Sequence, residues 1–153
     1  TSGRLAPLVT ARVRMSISSI VAPVWACTAA GNTSSGIVVG QSAVVSNSLS
    51  SSNGFNGIVL SSGGMAIHSA ARQNVVGFSG ADGNTIEGCT SESNTEDGIR
   101  INARGFVRGN LLRANTNEGI QAIGNSNRIE GNEANSNGTG IRVCTVDPGM
   151  AGT

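Results

Sequence analysis

Asp97 and Glu118 lie 21 residues apart, and the same interval separates Arg100 from Gln121 and Gln121 from Arg142. Two carboxylates held side by side can act as general acid and base, or hold a cation. Guanidinium groups beside them bind anionic groups through charge-assisted hydrogen bonds. These five residues form the candidate site: Asp97, Glu118, Arg100 and Arg142 for chemistry, and Gln121 for holding a substrate. A plainer reading competes with it. Charges on an exposed strand face are commonly just solvated. Two carboxylates about 5 Å apart in water repel by only about 0.8 kcal/mol, so stacking them demands no function.

The interval of 21 is not confined to these residues. A Gly followed by a large apolar residue recurs at Gly36-Ile37, Gly57-Ile58, Gly77-Phe78, Gly98-Ile99, Gly119-Ile120 and Gly140-Ile141, with gaps of 21, 20, 21, 21 and 21. Two residues beyond each Ile or Phe comes a further apolar slot, filled by Val39, Leu60, Ile101, Ala122 and Val143, with Gly80 as the weak member. Counting back from each Gly gives an apolar column of Val24, Val45, Met65, Ile86, Val107 and Ile129. Between the two falls an amide column: Asn32, Asn53, Gln73, Asn94, Asn115 and Asn137.

A period near 21 excludes the helical repeats, which need 33 residues or more, and the spaced leucines of leucine-rich repeats are absent. Short β-branched runs separated by Gly, Ser and Asn clusters read as brief strands joined by turns. Two or three such strands per 21 residues make one coil of a single-stranded parallel β-helix, with successive coils about 4.8 Å apart. A left-handed form favours hexapeptide multiples near 18, and parallel crossovers are generally right-handed. The expectation is an all-β, right-handed parallel solenoid of six or seven coils over residues 24–143. Residues 1–23 would form an irregular first coil or cap, and 144–153 a tail. Stacked amides would form a hydrogen-bonded ladder. Asn also suits left-handed turns. The Gly before each Ile would either take a positive φ or sit where no Cβ fits.

Composition agrees. Gly, Ser and Asn together make up over a third of the 153 residues, and only 12% are charged. Such a mix suits neither a coiled coil nor a helical bundle. It fits either a disordered tract or a turn-rich β fold, and the fixed period selects the second. All ten basic residues are Arg; residues 1–81 carry +4 and residues 82–153 carry −3. Neither half has the dense basic patch that nucleic acid requires. No apolar run approaches the roughly 18 residues of a membrane-spanning helix.

Arg12, Arg14 and Met15, followed by an apolar stretch to Cys27, have the outline of a secretory signal. Pro23 and several Ser interrupt it, and the repeat spacing favours reading it as another piece of solenoid. His68 aligns with Cys27, Ser48, Cys89, Asn110 and Asn132, which reads as a turn or half-buried structural position. Cys27 and Cys89 would be three coils apart, about 14 Å, too far to bridge. No C-x-x-C suggests zinc. Ser79-Gly80-Ala81-Asp82-Gly83-Asn84 looks like a calcium-binding turn but occurs once. No metal or cofactor is therefore expected, calcium being the nearest candidate. Glu87, Arg108 and Glu130 alternate in sign and read as an ion-pair ladder.

Two stretches carry a family resemblance: Asn84-Thr85-Ile86-Glu87-Gly88-Cys89-Thr90 through Gly98-Ile99-Arg100-Ile101, and Asn127-Arg128-Ile129-Glu130-Gly131-Asn132 through Gly140-Ile141-Arg142-Val143. They resemble the right-handed parallel β-helix repeats of the pectate-lyase-like superfamily. The resemblance implies an extracellular or periplasmic protein. In similar enzymes a polysaccharide lies along columns of outward residues, carboxylates bind calcium or act as acid and base, and Arg contacts an acidic sugar. Asn94-Thr95-Glu96-Asp97 is similar to a polygalacturonase motif, with an extra acidic residue, but the paired-Asp and Gly-His-Gly motifs are missing. The expected function is a non-catalytic structural or carbohydrate-associated module of an exported protein. The alternative is a lyase, hydrolase or epimerase acting on an acidic glycan. Solenoid ends expose strand edges, so end-to-end association or further coils of a longer chain are also expected.

Overall fold

The structure is a computed structural model that describes residues 23–144. The expected cap and tail therefore lie almost wholly outside the described residues, as does most of the signal-like segment. Within them the chain winds through six coils, each contributing one short strand to each of three parallel sheets. Sheet A stacks Ile37–Val39, Ile58–Leu60, Phe78–Gly80, Ile99–Ile101, Glu118–Ile123 and Thr139–Cys144. Sheet B stacks Val24–Trp25, Val44–Ser46, Met65–Ile67, Thr85–Glu87, Phe106–Arg108 and Arg128–Glu130. Sheet C stacks Thr28–Ala30, Leu49–Ser51, Ala70–Arg72, Thr90–Glu92, Leu111–Arg113 and Glu133–Asn135.

The core is the set of inward columns. Ile37, Ile58, Phe78, Ile99 and Ile120 stack in register on sheet A and are buried. Two residues on, Val39, Leu60, Gly80, Ile101 and Ala122 form a second column. Gly80 fits this column because the Asn84 side chain uses the space: a Cβ on Gly80 would lie 2.8 Å from Asn84 Oδ1.

On the coil containing Gly77 the column count slips by one. Val45 pairs with Ala66, not Met65, and Ala66 pairs with Ile86. Ala66 is fully buried, while Met65 points outward. The ladder amide on this coil is Asn74 rather than Gln73: Asn53 Nδ2 donates to Asn74 Oδ1 at 2.9 Å, and Asn74 N–H donates to Asn94 Oδ1 at 3.0 Å. The Gln73 side chain is exposed and accepts from the hydroxyl of Ser52. His68 likewise gives way to Ser69, whose hydroxyl accepts from the Ser48 N–H at 3.2 Å. One cause underlies all three shifts. The 20-residue step comes from a corner, Asn74 to Gly77, that is one residue shorter than Asn53 to Gly57. Counting back from Gly77 carries that shortening into every earlier column.

The ladder runs Asn32, Asn53, Asn74, Asn94, Asn115 and Asn137. Its asparagines do not take the left-handed backbone. The residue before each does: Gly31, Ser52, Gln73, Ser93, Ala114 and Ser136 all have φ between 53° and 65°. The Gly before each buried Ile or Phe, at 36, 57, 77, 98 and 119, is required by space instead. A Cβ on Gly98 would meet Gly119 O at 2.6 Å and Asn115 Nδ2 at 2.7 Å, because successive corners stack in contact there.

Candidate functional site

Arg100, Gln121 and Arg142 occupy one outward column of sheet A, in register on three successive strands. Sheet A strands of three residues turn their ends inward, so each presents a single outward side chain. Asp97 and Glu118 stand just before Gly98 and Gly119, where the corner from sheet C enters sheet A. The structure thus brings the five residues together on neighbouring coils.

The carboxylates are not solvated. The Asp97 side chain is 0% exposed. Its Oδ2 accepts from Arg100 Nε at 2.7 Å and its Oδ1 accepts from the Glu118 backbone N–H at 3.2 Å. The other arm of Arg100 donates to Glu96 Oε2 at 2.8 Å. Glu118 Oε1 accepts from Arg142 Nη1 at 3.1 Å. The Asp97 and Glu118 carboxyl groups also stand close enough to shift each other's titration in opposite directions. Burial, reinforced by that contact, pushes the Asp97 carboxyl above its usual range. The neighbouring Asp97 carboxyl, together with Arg142, holds Glu118 below its own.

This arrangement differs from a solvated strand face, and also from an acid–base pair open to substrate. Asp97 has no free side toward a ligand. Its charge is balanced in place, at a desolvation cost that the Arg100 bond and the Glu118 N–H offset. What faces outward is Arg100, Gln121 and Arg142, with both guanidiniums already engaged. Asn94, of the polygalacturonase-like stretch, is a buried ladder rung.

Elsewhere Asp82 accepts from Arg104 Nη2 at 2.9 Å and from the Ala103 N–H at 3.3 Å, so the calcium-like turn is tied to the next coil. Among the described residues no three His, Cys, Asp or Glu side chains converge as metal ligands. Cys27, Cys89 and Cys144 are free thiols. In the charged column on sheet B, Arg108 bonds Glu87, while Glu130 turns to Arg128 at 2.8 Å. The column aligned with His68 and read as a turn position is a second hydrogen-bonded corner stack, in which Cys27 N–H donates to Ser48 Oγ and Cys89 N–H to Asn110 Oδ1. Its signal was the small polar residue that follows each left-handed residue between sheets B and C.

Three parallel sheets joined by stacked corners, with one coil per 20 to 22 residues, define a parallel β-solenoid. The family described as right handed beta helix region matches residues 24–145, and the chain belongs to it. The crystal structure of the periplasmic alginate epimerase AlgG is similar, with a TM-score of 0.59 at 14% identity over 82% of this chain. This chain spans 39% of the length of that one. At that identity the likeness is one of fold. No curated protein sequence matches. Among the described residues no helix is long and apolar enough to cross a membrane.

Proposed function

We propose that this chain is a non-catalytic, polysaccharide-associated repeat module of an exported protein, working in the periplasm or outside the cell. The observation that carries the reading is the burial of Asp97. The carboxyl best placed to pair with Glu118 in acid–base chemistry is enclosed and committed to Arg100. Proteins of this fold use the same coil for many purposes, so function must be argued from the site. The column beside Asp97 offers hydrogen-bonding groups for a ligand without a free acid and base. Ile141 and Val143, inward by register yet 44% and 55% exposed, support stacking of a further coil from this chain or a second copy.

The second reading, a lyase, hydrolase or epimerase of an acidic glycan, draws on Glu118. Its side chain keeps a 10% opening beside Arg142. The test incubates the protein with uronate polymers, with and without calcium. It follows unsaturated products by absorbance, new reducing ends, and C5 configuration by NMR. No turnover, with retention on a polysaccharide affinity gel, is the expected result. Turnover abolished by Glu118→Gln would overturn the proposal in favour of the enzyme.

A further inference from the structure

Deamidation begins when the backbone nitrogen that follows an asparagine attacks its side-chain amide carbon. Glycine leaves that nitrogen least hindered, because it has no Cβ. The chain has three Asn-Gly pairs: Asn53-Gly54, Asn56-Gly57 and Asn137-Gly138. In each the glycine N–H donates to a neighbouring coil: to Asn32 O at 2.8 Å, to Val76 O at 2.8 Å and to Asn115 O at 3.2 Å respectively. The backbone therefore does not separate the three. The side-chain amides do.

Asn53 and Asn137 are ladder rungs. Asn53 Oδ1 accepts from the Asn32 N–H at 3.1 Å and from Asn32 Nδ2 at 2.8 Å, and Asn53 Nδ2 donates to Asn74 Oδ1 and Ser50 Oγ. Asn137 Oδ1 accepts from the Asn115 N–H at 3.0 Å and from Asn115 Nδ2 at 2.8 Å, and its Nδ2 donates to Leu112 O at 3.0 Å. Asn56 is different. It is half-buried at the corner that enters sheet A, and among the described residues its amide has no hydrogen-bond partner. The cause is local. Asp97 holds the equivalent place two coils on, where Arg100 and the Glu118 N–H fix its side chain. Around Asn56 those places are taken by Val59, whose side chain offers no donor, and by Val76, in the shortened corner.

We infer that Asn56 is a site of spontaneous deamidation in the folded protein. The Gly57 nitrogen bonds to the Asn56 side-chain carbon, the bond from that carbon to Nδ2 breaks, and the Gly57 hydrogen leaves with Nδ2 as ammonia. Water then opens the five-membered imide at one of its two carbonyls, giving aspartate or isoaspartate at position 56. Nothing is oxidised or reduced. The reaction needs Gly57 to release Val76 O, an opening of one corner, whereas Asn53 and Asn137 must also leave the ladder. Either product is a half-buried carboxylate with Val59 where Asp97 has Arg100. Isoaspartate also adds a backbone carbon before Gly57, where even a Cβ would lie 2.6 Å from Gly77 O. The modified chain is therefore less stable than the original.

The full chain is incubated in mildly alkaline buffer, folded, and in parallel in urea. Peptide mass spectrometry follows the gain of one mass unit at each Asn-Gly pair, with fragmentation to separate Asn53 from Asn56. A methyltransferase specific for isoaspartate, supplied with labelled S-adenosylmethionine, counts that product. In the folded chain Asn56 is expected to react about tenfold faster, or more, than Asn53 and Asn137, because each rung bond that must open adds to the barrier. In urea the three are expected to react at similar rates. Asn56→Ser removes the isoaspartate signal of the folded chain, with a thermal melt to confirm that the variant folds. Folded-state rates that do not favour Asn56, or reaction of Asn56 in urea alone, overturn the proposal.

Discussion

Asn94→Ala tests whether the amide ladder holds the coils together. Asn94 Oδ1 accepts from the Asn74 N–H at 3.0 Å and from Asn74 Nδ2 at 3.4 Å. Asn94 Nδ2 donates to Asn115 Oδ1 at 2.8 Å, Ser91 Oγ at 2.9 Å and Ala71 O at 3.4 Å. Alanine leaves Asn115 Oδ1 the backbone N–H of residue 94, and Ser91 Oγ keeps Gly98 O. The Asn74 N–H loses its acceptor inside the protein, which costs about 1–3 kcal/mol, and the remaining bonds add about 1 kcal/mol each at most. The expected loss is about 3–5 kcal/mol. Gln73→Ala is the matched control: its side chain is exposed and its one bond reaches an exposed Ser52, so the change should stay within about 0.5 kcal/mol. Urea unfolding followed by far-UV circular dichroism measures both. Equal costs for the two variants, or less than about 1 kcal/mol for Asn94→Ala, would refute the reasoning and the assignment of rungs behind it.

Gly98→Ala should destabilise severely, since its Cβ would lie 2.6 Å from Gly119 O, whereas a Cβ on Gly140 meets nothing nearer than 4.0 Å. Thermal melts should separate Gly98→Ala from a nearly silent Gly140→Ala. Asp97 titrates above its ordinary 3.8 when folded, so its stabilisation is fully present below pH 3.8 and is lost as pH rises through the folded value. Glu118 works oppositely: its stabilisation stands above its ordinary 4.5 and is lost as pH falls through its lowered value. Denaturation across this range should show Asp97→Asn removing the first trend, and Glu118→Gln the second. Burial pushes the Cys89 thiol up to about 11. Thiol labelling of the folded chain should therefore modify exposed Cys27 quickly and Cys89 only after denaturant is added.

The solenoid was legible because its signal is repetition. Ile37, Ile58, Phe78, Ile99 and Ile120 recur where a stacked core needs them, and each observed pairing follows the period. Single-residue slips were not legible. Met65 is more apolar than Ala66 and Gln73 is an amide beside Asn74, so each wrong choice looked chemically reasonable. Only the shorter corner before Gly77 distinguishes them. The site was half legible. Spacing placed Asp97, Arg100, Glu118 and Arg142 together, but burial at a corner depends on how stacked turns close over one another. The residue before Gly98 looks like any outward polar residue until Glu118 and its neighbours cover it.

The constancy of the coil length has a consequence for how the chain folds. Strand partners are separated by 20 to 22 residues along the whole described solenoid. Closing a loop of that length costs about 2.7 kcal/mol plus a constant, and the figure does not grow with the number of coils already formed. Each new coil meets the same entropic barrier and finds the same template, a finished rung with its edge exposed. Folding of such a chain is a growth process with a slow first coil and repeated equal steps after it. The rate of extension is then set by the local period, while the total length of the protein governs only how many steps there are.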